Sequence, residues 1–111
     1  MRQLVLGLSA ALASGVLLPA LAQAGAEYTI AIENHRFIPE VVEVPAGERV
    51  KLVIDNRDST PEEFESHSLR REKVVAGNSQ ITIWVGPLEP GEYRFFGEFH
   101  EDTTQGKLIA K

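Results

Sequence analysis

Leu88-Glu89-Pro90-Gly91-Glu92-Tyr93-Arg94-Phe95-Phe96-Gly97-Glu98-Phe99-His100, followed at a short distance by Gly106-Lys107-Leu108, is the stretch from which the rest of the chain can be ordered. Gly86-Pro87 and Pro90-Gly91 bracket a turn, because glycine and proline set backbone angles that a strand cannot use. Tyr93 to Phe96 then reads as a strand, and Lys107 to Ala110 as the strand that closes the fold. Working upstream, Ile81, Ile83 and Val85 alternate with Thr82 and Trp84. Val50, Leu52 and Ile54 alternate with Lys51, Val53 and Asp55, and Tyr28, Ile30 and Ile32 with Thr29, Ala31 and Glu33. A period of two places alternate side chains on opposite faces of a strand. Val41 to Val44 is a short extended piece, followed by a turn at Pro45-Ala46-Gly47. Glu63 to Leu69 reads as a weak strand, Arg70 to Val74 as a short turn of helix, and Ala76-Gly77-Asn78 as a turn. Asn56 to Glu62 is polar, contains Pro61 and reads as loop. Short strands with turns about every ten residues predict an all-β sandwich of seven to eight strands.

The 111 residues give room for one domain. Met1-Arg2-Gln3 is a basic start, Leu4 to Leu18 is apolar, Pro19 breaks the run, and Ala22-Gln23-Ala24 has small residues at the ends of a triplet. This is the pattern of a secretory signal peptide over residues 1–24, with cleavage after Ala24, and it predicts export to the periplasm. The apolar run is short for a bilayer span of about 20 residues, so no stable membrane insertion is expected after cleavage. Residues 25–111 form the predicted domain. With Arg2 set aside, ten basic and sixteen acidic side chains leave it a net charge of −6. Such a surface does not suit nucleic acid, and it suits cations or a basic partner. The chain has no cysteine, which removes disulfides and thiolate chemistry together.

Leu88-x-Pro90-Gly91-x-Tyr93-x-Phe95-x-x-x-Phe99-His100 and Gly106-x-Leu108 resemble the last hairpin of the cupredoxins. Phe37-x-Pro39, then Val44-x-Ala46-Gly47 and Val50-x-Leu52-x-Ile54-x-Asn56, resemble the stretch that leads into their first copper-ligand loop. The resemblance spans nearly all of residues 25–111 and implies a Greek-key β-sandwich. In blue-copper members the strand ending in Tyr-x-Phe runs into the ligand Cys, a His and a Met. Here Gly97 stands at the Cys position, His100 at the His position, and Thr103 and Thr104 near the Met position. The one Met of the chain is Met1. A blue-copper centre needs a thiolate. The chain is therefore not a blue-copper electron carrier, and Cu(I) carriage on Cys or clustered Met is excluded as well.

What remains for a metal is imidazole and carboxylate. His35 lies in the first loop beside Phe37-x-Pro39. His67 lies beside the position of the first family His, and His100 at that of the second. Glu63, Glu65 and His67 are two apart and share a face if the segment is extended. Glu98 stands beside His100 in the last loop. The candidate metal ligands are His67, His100, Glu63, Glu65, Glu98 and His35. These donors suit a copper(II) or iron ion, or Mn(II) or Zn(II), rather than Cu(I). Convergence of His67 and His100 on one point about 2 Å from each is the geometric test.

Glu63-Phe64-Glu65-Ser66, Glu72-Lys73-Val74-Val75 and Gly106-Lys107-Leu108-Ile109 narrow the resemblance. They are similar to the cupredoxin domain of EfeO-type proteins and to stand-alone periplasmic partners of ferrous iron permeases. That resemblance implies a metal-binding accessory, with Glu63 and Glu65 as ligands, beside an inner-membrane iron permease and its periplasmic partner. The chain departs from the EfeO-type pattern at Phe37 and Gly97, where cysteines can stand, and it lacks the helical second domain. The alternative is a metal-free sandwich that serves as a protein-interaction domain. No Ser/His/Asp or Cys/His arrangement and no phosphate loop is present, so no catalytic residue is assigned.

Overall fold

The computed structural model describes residues 26–111. The expected signal peptide, residues 1–24, lies outside them. Nine strands form two sheets. They are β1 (Ala26–Ile32), β2 (Phe37–Ile38), β3 (Val41–Val44), β4 (Val50–Asn56), β5 (Glu62–Ser66), β6 (Arg71–Val75), β7 (Ser79–Val85), β8 (Gly91–Gly97) and β9 (Gln105–Ala110). One sheet has the order β2-β1-β4-β7, the other β3-β9-β8-β5-β6. Two of the pairings are parallel, β1 with β4 and β3 with β9. Since parallel neighbours cannot be joined by a tight hairpin, the chain must cross between sheets to make them.

The alternation in the sequence becomes the two faces of each strand. In β4, Val50, Leu52, Ile54 and Asn56 face inward and are buried, while Lys51, Val53 and Asp55 are half-buried. Ile30, Ile32, Val42, Val44, Leu69, Val75, Ile83, Val85, Leu108 and Ala110 complete the aliphatic core. Phe37, Phe64 and Phe95 fill one region of it, with ring centroids 4.9 Å apart for Phe37 and Phe95 and 5.1 Å for Phe64 and Phe95. These three rings come from β2, β5 and β8 and so tie the two sheets together.

The nine strands are one more than the upper end of the expected seven to eight, and β2 and β6 are the two that the sequence did not mark. β2 has two residues, too few for any period to show. β6 replaces the helical turn expected at Arg70 to Val74. Its residues 71–74 are exposed and polar or unpatterned, and only Val75 is buried. No apolar alternation marks it as a strand. It is one because its backbone pairs with β5, Glu65 opposite Glu72 and Glu62 opposite Val75. A short 3-10 turn, Glu98–His100, follows β8 and was also not signalled by the sequence. Among the described residues no helix is long and apolar enough to cross a membrane.

Candidate metal centre

β5 decides the site, because it shows a different acid on each face. Glu62, Phe64 and Ser66 point inward and are buried; Glu63 and Glu65 point outward and are half-buried. Glu62 thus lies one pleat beyond the Phe64 ring on the core side. Its side chain is almost completely enclosed, at 1 % exposure. A buried carboxylate must be hydrogen-bonded to persist. Glu62 Oε1 accepts the backbone N–H of Glu63 at 2.9 Å and of Phe99 at 2.8 Å. Glu62 Oε2 lies 2.7 Å from Nδ1 of His100.

His100 sits at the end of the 3-10 turn. Its carbonyl accepts the N–H groups of Thr103 and Thr104 at 3.2 and 3.0 Å, which fixes the loop's return into β9. The ring of His35 stacks on that of His100, centroids 3.7 Å apart and planes 16° from parallel. His35 is placed by strained backbone. Asn34 and His35 have φ of 54° and 57°, the left-handed region that non-glycine residues rarely enter. Asp58 compensates: its Oδ1 accepts the N–H of Asn34 at 2.8 Å and its Oδ2 that of His35 at 3.0 Å. Successive N–H groups aimed at one anion form a backbone nest. Nδ1 of His35 is 3.4 Å from the same Asp58 oxygen, and Thr104 Oγ1 donates to the His35 carbonyl at 2.7 Å. His35, Glu62 and His100 can each offer one ligand atom, all within 4.8 Å of one another.

The second constellation is on the outer face of the same strand. Glu63 and Glu65 of β5, Glu72 of β6 and Glu98 of the 3-10 turn bring a carboxylate oxygen each within 4.8 Å of the others. Four like charges at this range oppose ionisation. A hydrogen bond shared with Glu98, then partial loss of solvent, then the charges of Glu98, Glu72 and Glu65 push Glu63 up to about 7. The same hydrogen-bonding partner and desolvation raise Glu65. Glu98, which accepts from Glu63 and Glu65, is held below the usual carboxylate range.

The expected ligands therefore divide. His100 and His35 come together, with Glu62. Glu63, Glu65 and Glu98 come together, with Glu72. His67 belongs to neither group. β5 ends at Ser66, so the shared face expected for Glu63, Glu65 and His67 stops one residue short. The His67 imidazole is 82 % exposed, 3.9 Å from Glu65 Oε2, and rests near the ring of Phe96. Its partners are Glu65 and Phe96, whereas those of His100 are Glu62 and His35. Sequence reasoning missed Glu62, Glu72 and Asp58. Glu62 could have been found from the same period of two that turns Phe64 inward. Glu72 was hidden by the helical reading of β6.

A blue-copper centre does not fit these residues. Beyond the missing thiolate, there is no room for one. A Cβ on Gly97 would lie 2.6 Å from Glu62 Cδ and 2.6 Å from Thr104 Cγ2. The carboxyl of Glu62 fills the space that a side chain at position 97 would enter.

The cupredoxin-like domain family matches residues 4–110. An uncharacterised protein of Rickettsia prowazekii (strain Madrid E) is 51% identical over 84 residues, which cover 76% of this chain and 67% of that protein. Among solved structures, auracyanin A, a "blue" copper protein from Chloroflexus aurantiacus, aligns with TM-score 0.66 and 15% identity over 78% of this chain and 100% of its own. The metal-binding domain of the Cu(I)-exporting P-type ATPase CopA of Streptococcus pneumoniae D39 aligns with TM-score 0.67 and 13% identity over 79% and 88%. At these identities the likeness is one of fold.

Proposed function

The chain belongs to the cupredoxin-like domain family, and from that premise we propose that it is an exported metal-binding protein, holding iron or Cu(II) on Glu63, Glu65, Glu72 and Glu98 as an accessory to a ferrous iron permease. The observation that carries this reading is the approach of four carboxylates within 4.8 Å on one surface. Oxygen ligands suit hard cations, and a bound cation takes the place of the proton that the hydrogen bond shared with Glu98, desolvation and the neighbouring carboxylates hold on Glu63 up to about 7. His67, with Nδ1 3.9 Å from Glu65 Oε2, stands beside them. Cu(I) does not suit this donor set, whatever its place in structural relatives. The periplasmic location and the permease partnership rest on the signal-like start and on the EfeO-type resemblance around Glu63 and Glu65. The likeness to copper proteins in fold supports metal binding as the general task.

The test is calorimetric titration of the metal-free protein with Fe(II) under anaerobic conditions, with Cu(II), and with Ca(II) as a competitor. Saturable binding of Fe(II) or Cu(II), lost in Glu63→Gln/Glu65→Gln and not displaced by equimolar Ca(II), supports the reading. Binding of Ca(II) alone overturns the iron and copper assignment, and binding of none of the three overturns the reading in favour of a metal-free interaction domain whose acids form a docking surface.

A further inference from the structure

The chain is acidic overall, yet the surface around its one tryptophan is basic. We propose that the outer face of the β2-β1-β4-β7 sheet at Trp84 is a docking surface for an acidic segment of a partner protein, held by Arg49, Lys51, Arg71 and Lys73. This surface goes beyond the metal reading and does not rest on it.

Lys51 of β4 lies opposite Trp84 of β7, and residues directly paired across two strands share a face. Their neighbours Val50, Leu52, Ile83 and Val85 are buried, so Lys51 and Trp84 face outward. Trp84 keeps 37 % of its surface exposed. Arg49, just before β4, places its guanidinium carbon 4.3 Å from the centre of the ring, and Lys51 Nζ lies 6.0 Å from it. Both are within the range of cation–π attraction. A guanidinium held on a ring still has its N–H fork for a carboxylate. Among the described residues, Arg49 and Lys73 form no ion pair, and Lys51 has only Glu27 at 3.2 Å.

Beside Trp84, a groove between β6 and β7 is lined by Arg71, Glu72, Lys73, Thr82, Ile83 and Trp84. β6 and β7 are edge strands of the two sheets. Arg71 caps the edge of β7: its Nε and Nη2 donate to the Trp84 carbonyl at 3.0 and 2.8 Å, and its Nη1 to the carbonyls of Leu69 and Arg70 at 3.2 and 3.0 Å. Its charge is met by dipoles and by no carboxylate. The capped edge does not invite a further strand at this point, so the occupant is recognised by its side chains. Glu72 is the one acid in the lining, and the groove shares it with the acidic face.

The basic patch selects an anion, and the rest of the molecule selects its size. A net charge of −5, with carboxylates gathered on the outer face of the other sheet, repels a broad anionic surface such as a bilayer or a nucleic acid. A short acidic segment meets the local patch alone, and an apolar side chain within it covers Trp84. Arg and Trp are also the residue types that most often carry binding energy at protein interfaces.

The probe is a fluorescein-labelled synthetic peptide rich in Glu with a central Leu, compared with its Gln counterpart. Trp84 is the only tryptophan, so intrinsic emission reports this patch. Titration of the metal-free protein at low salt is expected to shift that emission saturably, with peptide anisotropy rising at the same midpoint. Affinity is expected to fall as salt is raised and to be at least about fivefold weaker in Arg49→Gln. Lys73→Gln, on an exposed residue of the edge strand, weakens binding in the same direction. No emission change, unaltered binding in both variants, or equal binding of the Gln peptide each overturns the proposal. Emission that shifts with protein concentration before peptide is added overturns it in favour of a second copy of the chain. Binding of phosphatidylglycerol vesicles in place of the peptide overturns it in favour of a membrane. Glu63→Gln/Glu65→Gln is expected to keep peptide binding and Arg49→Gln to keep the response to metal, so either reading fails without the other. Loss of peptide binding in Glu63→Gln/Glu65→Gln overturns a surface centred on Trp84.

Discussion

Gly97 and Glu62 are a single structural decision made at two positions. A Cβ on Gly97 would lie 2.6 Å from Glu62 Cδ and 2.6 Å from Thr104 Cγ2, so no side chain can be added at 97 unless these neighbours move. Gly97→Cys is therefore expected to destabilise the protein by about 1–3 kcal/mol, the usual cost of overpacking. It is also expected to give no intense thiolate-to-copper band with Cu(II), because the Glu62 carboxyl occupies the space the thiol would enter. Combining it with Glu62→Ala removes one of the two contacts and leaves Thr104 against the new side chain, so stability is expected to recover only in part, while the space opened by the lost carboxyl lets the band appear. Urea denaturation and visible absorption check both halves. A blue single variant would show that Glu62 moves aside freely. At His35 the equivalent dependence is on Asp58, whose carboxylate holds two left-handed residues through their N–H groups. Asp58→Ala is expected to cost about 1.5–3 kcal/mol, the range for hydrogen bonds to a charged group, and to unstack His35 from His100. Denaturation and the ring shifts of the two histidines report these separately.

Element by element, the strands whose period was written in apolar residues were legible, and the one written in charges was not. β1, β4 and β7 bury alternate Ile, Leu and Val side chains, and each is visible as a period of two. β6 buries only Val75, so nothing in Arg71-Glu72-Lys73-Val74 distinguishes a strand from a helical turn. The loss mattered for function, since β6 brings Glu72 opposite Glu65. His67 stands beside the acidic group and not among its four carboxylates for a related reason: its spacing from Glu65 was right, but the strand ended before it. The partner of His100 could not be chosen from spacing at all, because His35 reaches it through a nest in another loop. The Glu65–Glu72 pair is a like-charge pair directly across two antiparallel strands, an arrangement that costs stability on its own. Glu72→Lys converts it to an opposite-charge pair. This variant is expected to raise the thermal midpoint of the cation-free protein at neutral pH and to weaken Fe(II) or Cu(II) binding at least tenfold. A lower midpoint would mean that the four carboxylates do not repel in the folded protein.

For the molecule as a whole, the acidic face makes stability depend on pH in a direction opposite to that of a salt-bridged surface. Glu63, raised from 4.5 to about 7, and Glu65, also raised, hold protons in the folded protein that the unfolded chain has already released. Between about pH 4.5 and 7 the folded state therefore binds more protons, and stability falls as pH rises through that window. Glu98 is shifted the other way, so its contribution is present above the ordinary carboxylate range and is lost as pH falls below it. The cation-free protein should then be most stable near pH 5 and weaker at pH 7.5. All of these groups are in contact with solvent, so salt screens the effect and a low-salt buffer shows it best. A cation that binds only the folded state adds RT ln(1 + [L]/Kd), about 2.7 kcal/mol at a hundredfold excess over Kd. Because it replaces the protons of Glu63 and Glu65, its contribution is larger at pH 7.5 than at pH 5. Thermal midpoints measured across pH 4.5–7.5, with and without saturating metal, should therefore diverge as pH rises: a falling profile without metal, and a flat or rising one above it with metal. A flat profile without metal would remove the repulsion on which the cation reading depends, and parallel profiles would place the bound ion away from these carboxylates.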